Sequence, residues 1–196
     1  MSIEVMRKKK YTWNDVELIA ARIADGAIGI VPTETVPGLV ALPSLAKRVN
    51  ELKGGLEGKP LALLIADDSD ARNLWGESFA AAQSLVALWP GPLTLIAGGG
   101  EGLALRMPDH DQLRRLLRLT GPLLGTSANL SGRPAPADLT SVDPDLLELV
   151  DFVVEEDRRP AGLASTILRL SAGQWQELRP GAVKKSTWLP LSRQAD

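Results

Sequence analysis

Residues 61–66 read Leu61-Ala62-Leu63-Leu64-Ile65-Ala66, a continuous apolar run between a stretch rich in lysine and glycine and the acidic pair Asp67-Asp68. A run of strand length with no polar alternation fits a strand covered on both faces, the place a strand takes in a sheet layered between helices. Upstream, Asn14 opens a predicted helix, with Glu17 three residues later as capping-box partner. Val16, Ile19, Ala20 and Ile23 recur at helical spacing along it, and Gly26 ends it. Strands are predicted at 27–31 and 38–42, and Ser44 is the predicted cap of a helix burying Leu45, Val49 and Leu52. Downstream the pattern predicts helices at 68–74 and 78–89, then strands at 93–97 and 103–107 joined at Gly98-Gly99-Gly100. A helix at 111–119, a strand at 122–125, a polar loop at 126–129, a helix at 143–150 and a strand at 152–154 follow. Residues 165–170 and 175–179 form a predicted hairpin turning at Ala172-Gly173. Some neighbouring strands have no crossover helix between them, so the expected fold is α/β with a mixed parallel and antiparallel sheet and helices on both sides. One domain is expected at 13–185, between a basic N-terminal tail, 1–12, and a C-terminal tail, 186–196.

The chain has 196 residues, with 22 Lys plus Arg against 24 Asp plus Glu and a formal charge of −2. It contains no cysteine, one histidine, His110, and one tyrosine, Tyr11. That excludes disulfide frameworks, thiol nucleophiles, zinc fingers and iron–sulfur sites. One histidine also excludes His-rich metal sites, and leaves the chemistry to Lys, Arg, Ser, Thr, Asn and carboxylates. No apolar run approaches the ~18–20 residues that cross a bilayer. The run Arg7-Lys8-Lys9-Lys10 has no apolar stretch after it, as a signal peptide would, so the expected location is the cytoplasm, with no membrane partner. That run reads as a solvated tail in preference to an arm that contacts RNA phosphates.

No Walker A loop or dinucleotide fingerprint is present. Gly125-Thr126-Ser127-Ala128-Asn129 follows the nucleophile elbow only to its serine, and His110 beside Asp109 makes a poor base and orienter pair. A serine hydrolase is therefore disfavoured. The informative segments are loops at strand ends, where α/β sheets bind ligands. They are Val31-Pro32-Thr33-Glu34-Thr35-Val36-Pro37-Gly38-Leu39, the lysine–glycine stretch 53–60, Trp89-Pro90-Gly91-Pro92-Leu93-Thr94 and Leu105-Arg106-Met107-Pro108-Asp109-His110. Thr126-Ser127-Ala128-Asn129-Leu130-Ser131-Gly132, Ser165-Thr166-Ile167 and Leu178-Arg179-Pro180-Gly181 complete them. Each supplies cations or compact hydrogen-bonding groups, a set that suits an anionic, polyphosphate-like ligand.

The order and approximate spacing of these motifs, from about Asn14 to Val183, resemble the YrdC-like family of threonylcarbamoyl-adenylate synthases. The resemblance implies a twisted mixed sheet with a large concave cleft. It also implies an activity that joins L-threonine, bicarbonate and ATP into threonylcarbamoyl-AMP with release of pyrophosphate. Mg2+ would be bound through the ATP phosphates, with no metal ligands on the protein. Implied partners are proteins that transfer the threonylcarbamoyl group to tRNA, together with tRNA or double-stranded RNA itself. By position, Thr33, Arg106 and Ser165 would hold threonine. Lys53 and Lys59 would be the catalytic cations facing the triphosphate. Lys53, Lys59, Ser127, Asn129 and Arg179 would together hold the nucleotide. The sequence departs from the family at Pro37, where tyrosine or phenylalanine is usual, and at Gly55, where the family's Lys-x-Arg motif reads Lys53-Gly54-Gly55. Losing a bidentate cation from a desolvated site costs a few kcal/mol, or ~10²-fold in rate or affinity. Arg48, on the preceding helix, is the candidate substitute. The alternative is a weakened paralogue that binds nucleotide or RNA.

Overall fold

The computed structural model describes residues 9–55, 61–157 and 160–193. Its apolar run supplies β4 (Ala62–Leu64), which lies mid-sheet, antiparallel to β7 (Leu123–Ser127) and parallel to β6 (Leu103–Arg106). The other strands are β1 (Lys9–Tyr11), β2 (Gly29–Val31), β3 (Gly38–Ala41), β5 (Leu93–Ala97), β8 (Phe152–Val154), β9 (Thr166–Ser171) and β10 (Gln174–Arg179). Their order across the sheet is β1-β8-β2-β3-β7-β4-β6-β5-β9-β10. Parallel pairs such as β5 with β9 sit beside antiparallel pairs such as β5 with β6, so the sheet is mixed and open.

The helices are α1 (Val16–Ala24), α2 (Ala46–Leu52), α3 (Asp68–Trp75), α4 (Ser78–Val86), α5 (Asp111–Thr120), α6 (Pro144–Leu149) and α7 (Lys185–Leu191). They cover the two faces unequally. On one face, α2, α3, α4, α6 and α7 bury Val49, Trp75, Leu85, Leu146 and Trp188 against strand residues reaching from Ile30 and Leu39 to Leu95, Leu168 and Trp175. On the other, α1 and α5 bury Val16, Ile19, Ile23, Leu113, Leu116 and Leu117 against β1, β8, β2, β3, β7 and β4 only. Side chains alternate between faces along a strand. Leu93, Leu95, Leu105 and Leu168 face the fully covered side, so Thr94, Arg106 and Ile167 point to the side that α1 and α5 leave open. This uncovered half-face is the floor of the cleft.

Several boundaries differ from the sequence reading for local physical reasons. Asn14 lies inside a 3-10 turn, Trp13–Asp15, that leads into α1; Thr12 caps this turn in a capping box with Asp15, in place of the expected Asn14 with Glu17. Ser44 sits inside a short 3-10 turn, Pro43–Leu45, and makes no cap bond. Thr126 and Ser127, expected in a loop, extend β7 because they pair with Leu39 and Gly38 of β3. Within the stretches expected as tails, Lys9–Tyr11 pairs with β8 and Tyr11 is buried, and α7 seats Trp188 in the core. Residues 1–8, with Arg7 and Lys8 of the basic run, lie outside the described residues, as do 56–60 and with them Lys59.

Candidate active site

A cleft on the open half-face is lined by residues of nearly every motif, among them Thr33, Lys53, Arg106, Ser127, Asn129, Ser165 and Arg179. Each arrives by a different local device. Arg106 ends β6, just before Met107, whose carbonyl accepts from Gly91 N–H (2.9 Å), so the Trp-Pro-Gly-Pro turn is stitched to the end of β6. Trp89 anchors the same turn by donating to Leu93 O (2.7 Å) and stacking on Trp75. Arg179 ends β10, where the register shifts between Glu177 and Arg179. That irregularity leaves Leu178 as the extra residue. Glu177 is thereby kept on the side of Leu168, and Arg179 is turned to the cleft side of Ile167.

Arg106 is nine-tenths buried and tightly held. Its Nη2 donates to Glu34 Oε1 (2.7 Å) and to Thr35 Oγ1 (2.8 Å), while its Nε, also buried, has no hydrogen-bond partner among the described residues. Thr33 supports this arrangement from below. Its hydroxyl donates to Val36 O (2.7 Å) and accepts from the N–H groups of Thr35 (3.1 Å) and Val36 (3.2 Å). Its single proton is therefore committed, and the 2.8 Å contact to Thr35 is donated by Thr35. Thr33 organises the turn that presents Thr35 to Arg106 and has no proton left to offer a ligand. Main-chain bonds from Ala161 to Glu34 O (2.9 Å) and from Gly162 to Thr35 O (2.8 Å) fix the loop from outside.

Lys53 is buried, and its ammonium donates to Asn129 O (2.7 Å), to Asn129 Oδ1 (3.4 Å) and to Ser127 O. It therefore holds the Ser127–Asn129 corner as well as charging the cleft. Ser127 Oγ donates to Asn129 Oδ1, and Asn129 Nδ2 donates to Leu130 O (3.0 Å) and Arg133 O (2.6 Å). Ser127 is not a nucleophile served by a base. His110 caps α5 by accepting the Leu113 N–H at Nδ1 (3.2 Å), and its Nε2 meets Glu156 Oε2 (2.9 Å).

Arg179 donates through Nε (3.1 Å) and Nη2 (2.7 Å) to Ser165 O and through Nη2 to Ser165 Oγ (3.0 Å). All of these partners are neutral. Burial of its guanidinium, and then the nearby charge of Arg106, push Arg179 below the usual arginine range. It stays protonated. The Pro180-Gly181 step lets this corner close, because a Cβ at Gly181 would fall 2.5 Å from Ala164 O, Ser165 C and Thr166 N.

Arg48 does not replace the missing arginine. It is half exposed and lies 3.8 Å from Asp151, and it is not among the cleft residues. Gly55 sits beside the cleft with its Cβ position 2.6 Å from Ser131 Oγ. Glu34 and Thr94 were not singled out from sequence, although both stand inside quoted motifs. Thr94 was detectable as the polar residue between core-facing Leu93 and Leu95. Among the described residues no cluster of three or more His, Cys, Asp or Glu side chains could hold a metal.

The family model Sua5/YciO/YrdC, described as telomere recombination, matches residues 21–181, and the chain belongs to this family. It is 35% identical over 183 residues to threonylcarbamoyl-AMP synthase of Bacillus subtilis, covering 85% of this chain and 53% of that protein. It is 31% identical over 194 residues to threonylcarbamoyl-AMP synthase of Pyrococcus abyssi, covering 91% and 57%. The crystal structure of P. abyssi Sua5 complexed with L-threonine superposes with a TM-score of 0.83 at 29% identity, covering 93% of this chain and 59% of that one. The chain thus spans a little over half the length of these relatives. Among the described residues, no helix is long and apolar enough to cross a membrane.

Proposed function

We propose that the chain makes threonylcarbamoyl-AMP from L-threonine, bicarbonate and ATP, releasing pyrophosphate. The observation that carries this reading is the pair of guanidinium groups on the open half-face. Among the described residues, Arg106 has a buried Nε without a partner, and Arg179 is bonded only to neutral oxygens. Two such cations with the Lys53 ammonium suit a carboxylate beside a triphosphate. The names of the Bacillus and Pyrococcus relatives, and the threonine complex of P. abyssi Sua5, support the same assignment.

In this reading Arg106 takes the threonine carboxylate, with Thr33 acting through Thr35 to hold the guanidinium. Arg179, Lys53 and the Ser127–Asn129 corner face the nucleotide, with Lys59 as a further phosphate cation. The threonine amine adds to carbon dioxide with loss of a proton, or to bicarbonate with loss of water, and the carbamate oxygen attacks the α-phosphorus as pyrophosphate leaves. No protein nucleophile takes part. The chain's contribution is positioning and neutralisation of phosphate charge in a partly desolvated site. Mg2+ comes with the triphosphate. The product is an activated carbamoyl donor whose consumer is a transferase acting on tRNA, and the reaction belongs in the cytoplasm.

Purified protein incubated with ATP, Mg2+ and bicarbonate tests the proposal. Pyrophosphate release that depends on L-threonine is the expected result. Release indifferent to threonine, or none while a typical relative is active, would overturn it.

A further inference from the structure

Among the described residues, Arg169 on β9 forms no hydrogen bond and no ion pair. Leu168 before it is in the core and Leu170 after it packs against the core, so Arg169 points to the uncovered side of the sheet. Its Nε is buried although the residue as a whole is partly exposed. Its cross-strand neighbours, Ile96 of β5 and Gln176 of β10, bring no charge to meet it. A desolvated donor without an acceptor is costly, and in a folded protein it marks a place where a partner is missing. The other two guanidinium groups on this half-face are held, Arg106 by Glu34 and Arg179 by Ser165.

The ladder places this cation next to the cleft. Gly125 pairs with Ala62, and both line the cleft. The same rung continues through Ala104, Ile96 and Arg169 to Gln176. Its first three residues are small, so the floor stays low from the Lys53 corner towards Arg169. The neighbouring rung runs from Arg106 through Thr94 and Ile167 to Arg179. Successive residues on one face of a strand are ~7 Å apart, and diagonal neighbours across an antiparallel pair ~7–8 Å. The long side chain of Arg169 therefore reaches a group that lies on Arg179. Among the described residues neither of these two is paired with a carboxylate, and an anion with several oxygens fits both. In the proposed reaction the α-phosphorus meets the carbamate formed on the threonine at Arg106. Arg169 lies one rung off that line, on the side open to the leaving phosphates.

We infer that Arg169 is a further nucleotide-binding residue, which with Arg179 holds the β- and γ-phosphates of ATP and the pyrophosphate they become. The inference rests on the proposed nucleotide site and extends it one rung beyond the cleft. It supplies a guanidinium for the triphosphate in a chain that has glycine at position 55.

Calorimetric titration of ATP, AMP, pyrophosphate, L-threonine and an RNA duplex onto the full chain tests it, using native protein, Arg169→Gln, Arg169→Lys and Arg22→Gln. Arg22 belongs to α1, on the covered half of the sheet, and controls for net charge. Arg169→Gln is expected to weaken ATP and pyrophosphate about tenfold or more, with AMP and threonine unchanged within about twofold. Arg169→Lys keeps the charge but not the fork and is expected to recover only part of that loss. Arg22→Gln is expected to change none of these affinities. If Arg169→Gln does not fold, Arg169→Met carries the same expectation. Unchanged ATP affinity in Arg169→Gln, an equal loss with AMP, or an equal loss in Arg22→Gln would overturn the inference while leaving the proposed function standing. So would a loss confined to the RNA duplex, which would assign the phosphate to RNA. Native protein that binds neither ATP nor threonine would overturn the proposed function, and the inference with it.

Discussion

Arg106 and Glu34 form an ion pair across the cleft wall, Nη2 to Oε1 at 2.7 Å, with only 11% of each side chain exposed. A buried pair is fragile to the loss of one partner because the other charge is left uncompensated, at a cost of about 3–5 kcal/mol. Arg179 nearby adds a like charge to that deficit. Glu34→Ala is therefore expected to lower unfolding stability by about 3 kcal/mol in urea denaturation, and Glu34→Gln, which keeps an acceptor for Nη2, by clearly less. Equal losses in the two variants would contradict the pairing argument.

Lys53 joins the helix side of the cleft to the Ser127–Asn129 corner through main-chain carbonyls. Lys53→Met leaves those carbonyls without their donor and removes a positive charge. Hydrogen exchange at residues 127–131 is expected to rise, and ATP affinity to fall about 10²-fold. Weakened ATP binding with unchanged exchange would show that the lysine acts by charge alone.

Gly55 is the position where the family's arginine is missing, and Arg48 of α2 lies beside Asp151 instead of reaching across for it. The backbone there is not left-handed, and the atom a Cβ would meet, Ser131 Oγ at 2.6 Å, belongs to a rotatable side chain. Gly55→Arg is thus expected to fold and to raise kcat/KM for ATP about tenfold or more. The double change with Ser131→Ala relieves the contact and should gain at least as much. No gain in either variant would show that the native cleft is already sufficient.

Acid should weaken the fold through its caps. Hydroxyl and backbone donors of Ser69 hold Asp67 below the ordinary aspartate value of 3.8, and those of Thr140 and Ser141 do the same for Asp138. A lowered carboxylate pKa gives stability that is present above the unfolded value and lost as pH falls through the folded one. Melting temperature is therefore expected to drop below about pH 4, and Asp138→Asn, which cannot titrate, to flatten that drop. An identical pH slope in the variant would rule this carboxylate out as a contributor.

The sheet was legible in the sequence because its central strands are written in apolar residues. The run at 61–66 and the exact limits of β5 and β8 needed only their apolar composition and the turn residues that bound them. The ends of the chain were not legible. Lys9–Tyr11 becomes a strand only because β8 offers an edge, and α7 persists with Pro190 inside it because Trp188 finds a place in the core. Within the cleft, the motifs pointed to Arg106, Arg179, Lys53 and Ser165, and these do converge. What residue type could not convey was their pairing. That Thr33 spends its proton on Val36, that Glu34 holds Arg106, and that a one-residue irregularity aims Arg179 at the cleft are all consequences of tertiary geometry.

The central claim is that the uncovered half-face holds an amino acid and a nucleotide side by side. A crystal structure of the protein soaked with ATP, Mg2+ and L-threonine tests it most directly. The account predicts the threonine carboxylate on Arg106 and the nucleotide phosphates between Lys53 and Arg179. An empty cleft at saturating ligand, or both ligands bound elsewhere, would contradict it.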